Sequence, residues 1–572
     1  MAGFFLSISS DNTSPLFTSE RCHASLDVFA KKGLSLGAHI VREGFELWYF
    51  PKIKQSYDQL LEFPNGDFVL YTGTLIYGNK IDRDALLGIY EDHVSGIFSD
   101  ANVSGNYCLI VFAKNKLMVL SDCAGYYPVY CNSTKTVISN SFLATARAEG
   151  KPVLRSHEFF EYLLFGFFWG LETLLEGVYV LDKKRLWFPL TPNENILRKP
   201  VYEPFPDGSS WQDKVDRVAA DLSDYFQTLL TVFGGSIGSA VSGGYDTRLM
   251  LAILRHLGHV PYLYVYGKDN SSDVSVAKQI CSGEHLSLEH IDKSTFARPS
   301  PDEFAAIMER QVYFFDGIKP LGIIDDGSDL YTRFDRADKA TLQLNGAGGE
   351  IYREIWNLSD HNVDLLDFLR MRFDRGSYAF CRPSFNETHF FTVLGNKVRE
   401  ILDIDRSWLT RIEAEKLFPF LRNYFAATNN AANNQISYSL IPFMEPKFIY
   451  PSFDIPIPYK YCGEFQAKLI KALDPALAKY PSSYGINFFD PVPAKYRLLR
   501  MAERNIPLKI RLLKRSAVKS SETKPYYFNE DYIGNIIDMK NLQISDLVDV
   551  DKLDNPELLS RALSVELLLS KL

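Results

Sequence analysis

The stretch Ser239-Ala240-Val241-Ser242-Gly243-Gly244-Tyr245-Asp246-Thr247-Arg248-Leu249 decides how this chain reads. A short apolar run, Gly238 to Val241, ends in Ser-Gly-Gly and gives way to helical spacing from Thr247 to Leu257. Two adjacent glycines let a backbone approach an anion closely. A helix N-terminus adds unpaired N–H groups and a partial positive charge. Ser242 and Thr247 can give hydroxyl donors to phosphate oxygens. Asp246 cannot; a carboxylate beside phosphate needs a cation, and Mg²⁺ is the natural one. The bland alternative is a strand–turn–helix with Asp246 as a capping residue.

Outward from this stretch the pattern continues. Trp211 to Leu230 has apolar residues at helical spacing, Pro261 to Tyr266 reads as a strand, and a helix follows around Ser275 to Cys281. Strands alternating with helices predict a parallel sheet and an α/β class. Gly234-Gly235-Ser236-Ile237-Gly238 lacks the Lys-Ser/Thr of a P-loop and reads as a turn. Asp273 either caps the helix after the second strand or faces a nucleotide. Upstream, prolines from Pro189 to Pro206 and then Gly208 mark a boundary. Before it the chain is strand-rich: Phe4 to Ile8, Glu46 to Phe50, Asp67 to Tyr71, Tyr107 to Ala113, Lys116 to Ser121 and Val137 to Ser139. Helical spacing appears at Asp82 to Ile97 and His157 to Leu164. From about residue 360 the chain reads as helical, ending in an amphipathic helix, Pro556 to Leu572, expected to dock on the body.

Composition bounds the rest. A length of 572 residues suggests two to four domains. Hydrophobic residues at 46% and charged residues at 23% exclude extended disorder. Aromatic residues at 14% predict well-filled cores, with an aromatic-lined pocket as the lesser alternative. A net charge of -8 without a long basic run argues against nucleic acid. The most basic stretch, Lys509, Arg511, Lys514, Arg515 and Lys519, reads as a solvated helix face. Seven scattered cysteines, with no C-x-x-C pair, read as reduced thiols. No run of about 20 apolar residues predicts a spanning helix. The expected location is cytoplasmic, with neither nucleic acid nor membrane as partner.

Four further segments, in order, support a family resemblance. Tyr71-Thr72-Gly73-Thr74-Leu75-Ile76-Tyr77-Gly78 is similar to a Tyr/Phe-Asn-Gly-Glu-Ile-Tyr-Asn segment. Ser121-Asp122-Cys123-Ala124-Gly125-Tyr126-Tyr127-Pro128-Val129-Tyr130 resembles Arg-Asp-x-x-Gly-x-x-Pro-Leu-Tyr. Leu344-Asn345-Gly346-Ala347-Gly348-Gly349-Glu350 resembles Leu-Ser-Gly-x-Gly-x-Asp, and Pro442-Phe443-Met444-Glu445 stands for Pro-Phe-Leu-Asp. With Ser242–Thr247, these resemble the class B asparagine synthetases and β-lactam synthetases, enzymes with an ATP-pyrophosphatase loop. The resemblance implies an Ntn-type αββα sandwich of the class II glutamine amidotransferase kind over 1–195. An adenine-nucleotide α-hydrolase-like parallel-sheet domain over 205–515 and a helical tail over 516–572 would follow. It implies ATP and Mg²⁺ as cofactors. Ser242, Gly243, Gly244, Asp246, Thr247, Gly346 and Gly348 would hold the nucleotide, and Asp246 and Glu350 the metal. Glu350 and Lys479 would be catalytic, with Lys447 a weaker candidate for the lysine.

The departures from the family are specific. Position 2 is Ala2 where an active glutaminase has a nucleophilic Cys. Thr72 replaces the oxyanion-binding Asn and Ser121 an Arg. Ala347 replaces the Glu or Tyr that helps deprotonate the amine. The reading is therefore a glutamine-independent, AMP-forming amide ligase. Its substrates would be a small-molecule or peptide carboxylate and an amine, joined by ring closure or between molecules, in natural-product or surface-polysaccharide biosynthesis. A homodimer is an open option. The alternative is a non-catalytic nucleotide-binding scaffold. With glutamine, with or without ATP, glutamate release is expected to match a no-enzyme control. Ala2→Cys alone is expected not to restore it, because Thr72 and Ser121 remain; release abolished by mutating the first unit would contradict this.

Overall fold

Phe4, Leu6 and Ile8 of β1 (Gly3–Ile8) face one core and Phe5 faces another, the period-two alternation of a strand buried on both sides. The computed structural model describes residues 3–9, 19–54, 58–373, 377–515 and 523–572. Ala2 and Lys519 lie outside the described residues. After β1 come β2 (Ala38–Arg42), β3 (Phe45–Phe50), β4 (Leu60–Glu62), β5 (Phe68–Tyr77), β6 (Val103–Ala113) and β7 (Lys116–Ser121). Three short strands follow: β8 (Tyr130–Asn132), β9 (Val137–Ser139) and β10 (Val178–Val180). They form a six-stranded sheet, ordered β10-β8-β9-β1-β3-β2, and a four-stranded sheet, β4-β5-β6-β7, with every pairing antiparallel.

The two sheets share a core. Phe4, Leu6 and Leu47 of one meet Phe68, Ile110 and Val119 of the other. Each such side chain removed from water contributes about 1.5–3 kcal/mol. The outer faces are covered by helices. Val28 and Phe29 of α1 (Ser19–Lys31) pack with Phe5 and Phe50, while Ala85, Leu86 and Ile89 of α2 (Asp82–Ser95) pack on Val69, Tyr71 and Leu109. Two more helices, α3 (Phe142–Glu149) and α4 (Ser156–Phe165), complete this part. The strand-rich expectation holds, but α1 and α3 were not legible as helices.

Past the proline-rich stretch the sheet becomes parallel. Its strands lie in the order Glu289–Ile291, Tyr262–Tyr266, Ile237–Ala240, Leu342–Leu344, Tyr438–Leu440. Helices α5 (Trp211–Val232), α6 (Tyr245–His256) and α7 (Ser272–Gly283) alternate with them. The chain is thus mixed α/β, as expected. Helix α6 starts two residues before the predicted Thr247, because Gly244 takes an extended N-cap conformation and Tyr245 and Asp246 fill the first turn. The strand Ile237–Ala240 has its sequence successor on one side and Leu342–Leu344 on the other. The order therefore reverses at its C-terminal end, where open α/β sheets hold ligands. The C-terminal helix, Pro556–Leu569, docks on the body as expected, but it is not amphipathic. All its residues from Leu558 onward are buried, and Arg561 donates to the carbonyls of Pro320 and Leu163. Among the described residues no helix is long and apolar enough to cross a membrane.

One polar helix joins the antiparallel and parallel parts. Helix Arg411–Ile436 carries Asn430, Asn434 and Gln435, each wholly buried. Asn434 Oδ1 accepts from the Thr74 hydroxyl at 2.7 Å and from Lys52 at 3.3 Å, and its Nδ2 donates to Ser439 O at 2.9 Å. Asn430 Nδ2 donates to Asn106 Oδ1 at 3.1 Å, and Gln435 donates to Phe314 O. Among the described residues Asn430 Oδ1 and Gln435 Oε1 are buried without a hydrogen-bond partner, so the network's contribution rests mainly on the fully paired Asn434. Asn434→Ala is expected to lower stability by about 2–4 kcal/mol. Urea unfolding measures this, and a loss below about 0.5 kcal/mol would remove the joint from the account.

Candidate active site

Val241 ends the strand with its N–H on Tyr264 O, and the chain turns through Ser242, Gly243 and Gly244 into α6. The Ser242 and Thr247 hydroxyls lie 2.9 Å apart, so one turn of helix brings both to the same side. Gly244 N–H donates to Ser242 Oγ at 3.1 Å. Gly243 N–H donates to Asp273 Oδ1 at 3.0 Å, and that oxygen also accepts from Ser483 Oγ at 2.6 Å. Asp273 therefore faces the loop; the helix that it opens is capped by Ser271.

A second turn closes on the first. Leu342–Leu344 leads into Asn345 to Glu350, at the neighbouring strand end. A Cβ on Gly346 would stand 3.4 Å from Thr247 N, and one on Gly349 would stand 2.5 Å from Asp246 Oδ1. Gly348 has φ +94°, and a Cβ there would strike Met444 at 2.2 Å. Glycine at these positions lets the two turns touch. Glu350 is thereby brought beside Asp246, and its Oε2 accepts from Gly348 N–H at 2.9 Å.

Between the carboxylates lies a guanidinium that sequence reasoning did not find. Arg353 donates to Asp246 Oδ2 at 2.8 Å and stands 3.8 Å from Glu350 Oε1. Its plane lies near the Tyr245 ring, and Gln466 donates to Asp246 Oδ1 at 2.8 Å. Burial and then Glu350 push the Asp246 carboxyl up, against the pull of Arg353. Burial works against the Arg353 charge, but the two carboxylates outweigh it and raise its pKa. The available signal was spacing: Arg353 follows Glu350 by three residues, which one tight turn brings together.

Lys479 is placed elsewhere. It ends the short helix Pro475–Lys479, is exposed, and holds its ammonium over the Phe489 ring at 5.1 Å. The segment after it does reach the loop. Buried Arg248 donates to the carbonyls of Tyr480 and Pro481, Tyr245 stacks on Phe488, and Ser483 N–H donates to Gly243 O at 3.1 Å. Lys447 lies over the Tyr225 ring at 4.1 Å, beside Glu445. Ala347 offers no titratable group. The family-like Asp122 accepts from the N–H groups of Gly125, Tyr126 and Tyr127, holding a turn.

A separate group, His157, Glu158 and Glu161, has its ligand atoms close enough to share a metal ion. Lys397 already donates to Glu158 at 2.9 Å and Glu161 at 2.7 Å, so the charge there is met by an ammonium. A cavity of about 310 Å³ is bounded by Phe165, Phe167, Trp356, Phe373 and Phe418 together with the charged Arg372 and Arg561. The seven cysteines carry no disulfide. No protein-family model matches the chain, and no curated protein matches it.

Glu445 yields a pH prediction. It is buried, and its Oε1 accepts from Gly105 N–H at 2.9 Å and Tyr225 OH at 2.8 Å. Burial pushes its carboxyl up to about 7, against Lys447, Tyr225 and the Gly105 amide. The folded pKa lies above the unfolded value of about 4.3, so stability from this group falls as pH rises between them. Glu445→Gln keeps both hydrogen bonds and removes the titration. Relative to the natural chain it is expected to gain on the order of 2 kcal/mol between pH ~4 and ~8. Urea midpoints across that range check the gain, and a constant offset would refute it.

Proposed function

We propose that the chain is an ATP-dependent, AMP-forming amide ligase that uses no glutamine. In this reading residues 205–515 are the adenine-nucleotide α-hydrolase-like domain and 516–572 a helical tail. Residues 1–195 are a degenerate class II amidotransferase-like αββα sandwich. The observation that carries the reading is the convergence of Asp246 and Glu350 at the N-terminus of α6, beside the Ser242–Gly244 turn and the Thr247 hydroxyl.

The residues fit Mg²⁺. Asp246 and Glu350 offer hard carboxylate oxygens, and one guanidinium against two carboxylates leaves a net negative charge that a divalent ion corrects. When bound, Mg²⁺ would supply charge to the phosphate oxygens. The chain's own groups do the rest. Ser242 and Thr247 donate to phosphate, and the α6 N-terminus favours its charge. Arg353, tethered by Asp246, stays within reach of a departing pyrophosphate. A carboxylate oxygen of the substrate attacks the α-phosphorus and the α–β bridging bond breaks. The amine nitrogen then attacks the acyl carbon, AMP leaves, and the amine proton passes to solvent, since Ala347 supplies no base. The acid and amine could belong to one molecule or two.

The alternative is a non-catalytic nucleotide-binding scaffold. In both readings the nucleotide must displace contacts now in the loop, because Gly243 N–H is taken by Asp273 and Ser483 lies across it. Exchange of labelled pyrophosphate into ATP, screened against carboxylic acids, separates the two. The ligase reading expects AMP and pyrophosphate in step with amide, and a fall of about a hundredfold or more in Asp246→Asn with an unchanged melting curve. ADP as the main product would overturn it. Nucleotide binding with no exchange and no amide formation would support the scaffold.

A further inference from the structure

Helix Ala494–Arg504 is turned with its apolar side outward. None of its residues is buried, and Leu498, Leu499 and Met501 are 64%, 56% and 55% exposed. Its inner side is polar. Arg504 donates to both carboxylate oxygens of buried Glu354 and lies flat on the Tyr461 ring at 3.3 Å. Tyr496 and Arg500, one turn apart on that side, are half-buried. A helix that only needed to close a core would do the reverse. The next helix, Leu508–Arg515, continues the surface with Ile510 at 47% exposure.

The charge around this apolar stripe is one-sided. Residues 494–515 hold eight Lys and Arg against one acid, Glu503, in a chain whose net charge is -8. Lys495, Arg497 and Lys509 are exposed on the flanks, although Arg497 leans on Glu464 at 2.8 Å and Lys509 stands 3.8 Å from Asp367. A second copy of this chain is a poor occupant, because a two-fold contact would set these cations against themselves. A peptide needs a groove, and this is the convex flank of a helix. Nucleic acid would meet aliphatic tips, not stacking rings. A flat, anionic surface with an apolar interior matches both features.

We propose that the helices Ala494–Arg504 and Leu508–Arg515 form an in-plane docking surface for an anionic lipid bilayer, with Leu498, Leu499, Met501 and Ile510 entering the acyl boundary and Lys495, Arg497 and Lys509 on the headgroups. This departs from the sequence-based expectation that no membrane takes part, which concerned spanning helices, and it is independent of the ligase reading. The full chain is sedimented with vesicles of phosphatidylcholine alone or mixed with phosphatidylglycerol. Binding is expected to the mixed vesicles only, weakening as salt is raised. Leu498→Glu with Leu499→Glu, and separately Lys495→Glu with Lys509→Glu, are expected to cut the partition coefficient by about tenfold or more. These positions are exposed, so melting curves should be unchanged and a folding failure would be visible. Absent binding, equal binding to both vesicle types, or self-association abolished by the leucine pair would each overturn the proposal.

Discussion

Two carboxylates cannot be held side by side in a largely buried turn without a cation, and here the chain supplies its own. Arg353 lies between Asp246 and Glu350, and the two turns close around that trio. The glycines make the geometry reachable. Gly349 gives Asp246 its space, Gly348 passes under Met444 with left-handed backbone, and Gly346 lets the second turn rest on Thr247. The strand order then matters. Only because Leu342–Leu344 lies directly beside Ile237–Ala240 do two turns 100 residues apart share one crevice.

The same economy of space explains the first unit. Gly73, beside Thr72, is tightly enclosed. A Cβ there would meet Asn106 O at 2.3 Å and the Tyr127 ring at 3.0 Å. One strand position further on, Thr74 hydrogen-bonds to Asn434 from the helix Arg411–Ile436. Asn106, which neighbours the same site, is spent on Asn430 and on the Ile441 N–H. These side chains are committed to joining the antiparallel and parallel parts. A substrate in that place would have to break buried hydrogen bonds worth about 1–3 kcal/mol each when left unpaired.

What was legible in the sequence follows from the range of the forces involved. Periodicity is local, so Trp211–Val232 and the strand–turn–helix at Ser242 could be read directly. Asp246 and Glu350 were legible because motif order stands in for a fold. Arg353, Gln466 and Ser483 were not, because their placement depends on three separate segments meeting. The run Asn429-Asn430-Ala431-Ala432-Asn433-Asn434-Gln435 carried no legible signal, yet Asn430, Asn434 and Gln435 are wholly buried and Asn429 and Asn433 half-buried. Polar composition alone points to solvent; only the partner segments Lys52 and Thr74 reveal that the Asn434 amide is satisfied inside, while Asn430 Oδ1 and Gln435 Oε1 are buried without a partner among the described residues. The final helix docks on the body as its leucines suggested, but Arg561 and Ser564, which read as a polar face, are buried too.

The position of the cation is set by which segment reaches the crevice. The sequence-based expectation put a lysine of the C-terminal segment there, but Lys479 lies over Phe489. That segment instead contributes Ser483 to the loop and Tyr484 to Arg353, whose Nη1 donates to the Tyr484 hydroxyl at 3.3 Å. Moving the cation onto the carboxylate turn changes its task. A guanidinium fixed by Asp246 is already desolvated and oriented before any ligand arrives, so little reorganisation is needed when negative charge develops nearby. In the proposed reading a metal ion would use the carboxylate oxygens that Arg353 leaves free, with Asp246 Oδ1 shared with Gln466. Any shift of Arg353 would be felt by Tyr484, its hydrogen-bond partner, and so by the neighbouring Ser483 that lies across Gly243.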